Sequence, residues 1–93
     1  MRKPSFTKQF NKDLKKIKKQ GKNTDKLKFV MSNLIDEKQL VKKYHDNKLT
    51  GNFKDRRECH IEPDWLLIYK IENDEIIFER TGSHSDILIY TNW

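Results

Sequence analysis

Two short stretches of this chain gather side chains that can move protons or hold an anion. HIEPDWLLIYK, residues 60–70, places His60, Glu62, Asp64 and Trp65 directly before an apolar run, and ERTGSHSD, residues 79–86, places Arg80, His84 and Asp86 at the end of another. If the two runs are neighbouring antiparallel strands, the start of one lies beside the end of the next. His60, Asp64, Arg80 and His84 then share one pocket. Such a set can cut an RNA phosphodiester without a metal ion. A base takes the 2′-OH proton, an acid protonates the 5′-oxygen leaving group, and a cation stabilises the charge growing on the phosphate. Histidine suits both proton steps because its pKa of ~6.5 lies near working pH. Arginine offers a planar fork to two phosphate oxygens.

Other chemistries fit less well. Zinc ligands usually come in close pairs such as CxxC or HExxH. Here Cys59 and His60 are adjacent, would point to opposite faces of a strand, and leave His45 in a distant loop. No metal or other cofactor is expected. The same alternation separates Cys59 from His60 as nucleophile and base, so Cys59 reads as a small buried residue. Plain structural readings stand beside the catalytic one. His60 can be a surface hydrogen bonder, Asp64 a turn residue after Pro63, Trp65 a core ring, and Arg80 the partner of Glu58 or Glu79 in a solvated pair.

The elements that must position these residues follow from periodicity. Phe6, Phe10, Leu14 and Ile17 recur at helical spacing among lysines, predicting an amphipathic helix over 6–20, capped by Ser5 or Thr7 and stopped at Gly21. A second helix is expected after a Thr24 cap, with Leu27, Val30, Met31, Leu34 and Ile35 as its stripe. The short turn between them predicts an antiparallel hairpin. Residues 37–55 read mainly as loop, with a helical turn conceivable around Leu40, Val41 and Tyr44. The period then becomes two. RRECHI at 56–61 alternates Arg56, Glu58 and His60 against Arg57, Cys59 and Ile61. WLLIYKI has the length and apolar content of a central strand, Asn73 and Asp74 mark a hairpin turn, and EIIFERT runs to Gly82. SHSDILIY reads as a loop with a short terminal segment, and residues 2–5 as an edge strand. The expected architecture is one α+β domain over 1–93. Its helical hairpin packs on a small antiparallel β-sheet whose other face is partly open.

Composition sets the outer limits. The 93 residues are 37% charged and 34% hydrophobic, with ten aromatic residues, too many for a disordered chain. One cysteine cannot form an internal disulfide, which suits a reducing compartment. The chain lacks a signal-like apolar segment and a run long enough to span a membrane, so a cytoplasmic location is expected. The net charge of +6 divides into +9 over residues 1–28 and −3 over the rest. That asymmetry favours an anionic partner.

Taken together, DNKLTG (Asp46 to Gly51), RECHIEPDW (Arg57 to Trp65), LIY (Leu67 to Tyr69) and RTGSH (Arg80 to His84) resemble the YafQ-type branch of the RelE/ParE toxin superfamily. The resemblance covers roughly residues 6 to 88. It implies a RelE-like fold and an mRNA interferase of a bacterial toxin–antitoxin pair, acting on mRNA in the ribosomal A site. It implies His60, Asp64 and His84 as acid–base residues and Arg80 as the phosphate-binding arginine, with Trp65, Asn47 and Lys54 on the substrate. It also implies an acidic antitoxin, with operator DNA bound only through the antitoxin complex, and no membrane partner.

Three positions depart from the pattern. Relatives often carry a histidine where this chain has Asn47, and His45 lies two residues earlier, out of alignment with it. Glu58 stands where relatives often have Asp. Leu88 stands where some place an aromatic, and the terminal IYTNW has no counterpart. The alternatives are a non-catalytic ParE-like toxin, which would generally lack the two histidines, and a basic RNA-binding module in which the lysines alone matter.

Overall fold

Thr7 is where the fold begins to be fixed. In the computed structural model, which describes residues 1–49 and 55–87, its hydroxyl accepts from the Phe10 N–H at 3.0 Å and donates to the Glu79 carbonyl at 2.8 Å. One side chain thus caps helix α1 (Lys8–Lys19) and ties the preceding strand β1 (Lys3–Phe6) to the far end of the chain. Helix α1 stops at Gln20, and Gly21 takes the left-handed conformation (φ 76°) that a following residue with a Cβ adopts at a cost. Helix α2 (Thr24–Ile35) starts one residue before its expected place, because the side chain of Asn23, not Thr24, accepts from the Asp25 N–H. A 3₁₀ turn (Lys42–Tyr44) follows.

The sheet contains β2 (Asn47–Lys48), β3 (Arg56–Glu62), β4 (Trp65–Glu72) and β5 (Glu75–Gly82), in the order β1-β5-β4-β3-β2. Two expectations are corrected here. The sheet is mixed, because β1 runs parallel to β5, with Phe6 opposite Phe78. The loop after residue 44 also contributes a strand, because Asn47 and Lys48 pair with Glu58 and Arg57. Phe6 supports the parallel pairing, with its ring centroid 5.6 Å from that of Phe78 and 5.7 Å from that of Phe10.

Strand alternation then divides the apolar residues. Cys59, Ile61, Trp65, Leu67, Tyr69, Ile76 and Phe78 meet Phe10, Ile17, Leu27, Val30 and Leu34 of the helices in one core. Each such fully buried aliphatic or aromatic side chain contributes about 1.5–3 kcal/mol. On the opposite face Leu66 and Ile68 are also fully buried, under Ile87 and Leu49. That face was expected to be partly open. Its centre is covered because the chain folds back after Gly82. Among the described residues no helix is long and apolar enough to cross a membrane.

Candidate active site

The β3–β4 turn and the segment after β5 meet as strand adjacency requires. Asp64 accepts from the His84 backbone N–H at 3.0 Å, and its Oδ1 lies 2.7 Å from His84 Nδ1. One carboxylate therefore fixes both the backbone and the ring of His84 and assigns Nδ1–H to itself. These bonds, led by the backbone one, hold the Asp64 carboxyl below its usual pKa. Asp64 stays ionised at neutral pH with its side chain 71% exposed.

His60 stands next to this pair, its ring centroid 5.7 Å from that of His84. A register shift between His60 and Glu62 lies directly beside it. Bulges of this kind re-aim side chains next to functional sites. Partial burial is the main cause that lowers the His60 pKa, and the nearby charges of His84 and His45 lower it further. The backbone of His45 acts in the opposite direction and partly offsets them. A lowered pKa favours the neutral ring, which carries an acceptor nitrogen, the form a general base needs.

Glu58, two residues earlier on the strand, is buried, and burial raises its carboxyl pKa against the charge of His84. Its Oε2 has no hydrogen-bond partner among the described residues.

Other sequence-derived candidates fall elsewhere. Trp65 is fully buried, and its indole N–H donates to the Thr81 hydroxyl at 2.9 Å. Its ring is therefore a core element rather than a surface for a base. Arg80 pairs with neither Glu58 nor Glu79. Its Nε and Nη2 go to Asp13 of α1 at 2.7 and 3.2 Å, and Glu79 takes Arg56 at 2.7 Å. Asn47 lies beside the site, but its amide donates to the His45 carbonyl at 2.9 Å. Lys54, Gly51, Leu88 and the terminal IYTNW lie outside the described residues. Cys59 is buried on the helix side with its thiol pushed upward by desolvation, far from the state a nucleophile needs.

Sequence reasoning named two further residues of this region without placing them in the site. Asp46 accepts from Tyr69 Oη at 2.6 Å and from Arg57 Nε at 3.2 Å, anchoring the loop to β3 and β4. The register pairs Arg57 with Tyr69, so an acidic residue opposite them was the available signal. His45 follows from that anchor, with its ring edge-on to His60 at 5.6 Å. Together with Lys26, Phe29, Tyr44 and Glu62, His45 and His60 line a cleft of about 920 Å³.

A family model described as a bacterial toxin of type II toxin–antitoxin systems, YafQ, matches residues 2–89. The curated protein "mRNA interferase toxin YafQ" of Escherichia coli K12 is 42% identical over 81 residues, covering 86% of this chain and 88% of that protein. The E. coli DinJ–YafQ complex contains a chain of 40% identity and TM-score 0.88, covering 94% of this chain and 98% of that one. A copper-bound mutant toxin from Helicobacter pylori superposes with TM-score 0.90 at 38% identity, covering 94% and 99%. Among the described residues here, no group of three or more His, Cys, Asp or Glu side chains is arranged to hold a metal ion.

Proposed function

This chain belongs to the YafQ family of bacterial type II toxins, and from that premise we propose that it is an mRNA interferase. It cuts mRNA in the ribosomal A site by acid–base chemistry in which no metal takes part. The observation that carries the reading is the Asp64–His84 pair beside a second histidine whose pKa is depressed. His60 takes the 2′-OH proton, and the 2′-oxygen attacks the adjacent phosphorus. The bond to the 5′-oxygen breaks as His84, oriented through Nδ1 by Asp64, gives that oxygen a proton from its other nitrogen. The products are a 2′,3′-cyclic phosphate and a 5′-hydroxyl. Asp64 is the orienting group rather than the base, because its carboxyl is engaged with His84 and held in its charged form.

Arg80 serves the site chiefly by position. Its bonds to Asp13 secure the strand end from which His84 projects, and its charge adds to the field at the phosphate. Lysines exposed on α1 engage ribosomal RNA through phosphate contacts that position without specifying sequence. A cognate acidic antitoxin is the natural counterpart of a surface with +9 over residues 1–28, and binding to operator DNA passes through that complex. The reading is tested by giving the protein the same mRNA free in solution and on translating ribosomes. Cleavage confined to ribosome-bound message is expected. Equal cutting of both would refute ribosome dependence.

A further inference from the structure

His45 belongs to none of the motif positions that carry His60, Asp64 and His84, yet its placement is over-determined. It ends the 3₁₀ turn in the left-handed conformation (φ 47°, ψ 53°), uncommon for a residue with a Cβ. Its carbonyl accepts from the Asn47 amide at 2.9 Å. The next residue, Asp46, is bonded to Tyr69 and Arg57. These bonds fix the backbone so that the His45 ring meets His60 at 83° across the cleft wall while remaining exposed. A merely solvated histidine needs none of this.

The charge of the phosphate also has to be met. Arg80 commits two donors to Asp13, Lys26 is bonded to Glu62 at 2.9 Å, and Lys43 lies over the Tyr44 ring at 5.2 Å. The His45 ring, its centroid 5.6 Å from that of His60, stands where it can meet that charge.

We propose that His45 is a further catalytic residue of this site, whose imidazolium contacts a non-bridging oxygen of the scissile phosphate and stabilises the charge that grows there. The two proton transfers remain with His60 and His84. Asn47, which exchanges no proton near neutral pH, is the positioning residue that holds the His45 turn. The inference rests on the nuclease reading above.

His45→Gly isolates the ring, because glycine accepts the left-handed turn and keeps the carbonyl that Asn47 uses. Single-turnover cleavage of ribosome-bound mRNA should fall at least about 10-fold. Added imidazole should restore part of the rate near pH ~6, where it is cationic, and less near pH ~8. His45→Asn, which also tolerates the turn, should be comparably slow. A rate equal to that of the unchanged protein in either variant overturns the proposal. So does a loss that imidazole restores at neither pH, which would make the ring structural. If the unchanged protein leaves the mRNA uncut, the nuclease reading itself fails, a result distinct from either of these.

Discussion

At the scale of single residues, the account turns on two histidines in unlike surroundings. His84 is tied to a carboxylate and His60 is partly buried near other imidazoles, and this difference divides acid from base. His84→Ala should lower cleavage by ~10²-fold or more with the fold intact, and a normal rate would remove the acid role. The depressed pKa of His60 has a second consequence. Above ~6.5 the ring is neutral in folded and unfolded chains alike; as pH falls through ~6.5 the unfolded ring protonates first, so stability is lost toward acid. Melting curves of the unchanged protein and His60→Gln should therefore diverge below that pH, with the Gln form losing less. The acid limb of cleavage should lie below ~6.5 for the same reason, and a limb above it would contradict the assignment. His60, Asp64 and His84 were legible because period-two alternation and a tight turn bring strand ends together. His45 was not. Its place depends on Asp46 finding Tyr69 and Arg57, a long-range contact that no local pattern announces. Trp65 and Arg80 stand out in the sequence, but their partners, Thr81 and Asp13, decide their roles.

At the scale of elements, both helices and the three long strands follow from hydrophobic spacing and capping. The parallel direction of β1 does not, because four residues of strand carry no record of which edge they join. Nor does β2, whose two residues gain their conformation from pairing with β3. The same long-range logic makes α1 part of the site's support. Asp13 accepts from Arg80 and from the Thr81 backbone N–H while almost wholly buried. Asp13→Ala leaves a buried guanidinium without this partner and should cost about 3–5 kcal/mol in urea unfolding. A loss below about 1 kcal/mol, the range of an exposed pair, would show that Arg80 is solvated. Gly82 acts at the other end of β5. Its φ of 155° is one that residues with a Cβ rarely adopt, and the chain folds back there to deliver His84 to Asp64.

At the scale of the whole molecule, a basic helix face accompanies the titratable cluster. Lysines exposed on α1 form a basic face, while the titratable cluster lies where β3, β4 and the segment after β5 converge. Lys16 is held by Asp86 at 2.7 Å, so the lysines to test are Lys12, Lys15, Lys18 and Lys19. Replacing these four by Gln should weaken ribosome association and flatten its salt dependence, by up to ~0.7–0.9 in log–log slope for each phosphate that is no longer neutralised. An unchanged slope would return them to a solvated face. Chemistry at the ends of the RNA tests the central claim most directly. Ribosome-bound mRNA cut by the protein should carry 5′-hydroxyl ends, labelled by polynucleotide kinase without prior phosphatase, matched by 2′,3′-cyclic phosphates. Both should disappear with His60→Gln and with His84→Ala. Fragments bearing 5′-phosphates, or cutting that persists at full rate without either histidine, would contradict the account.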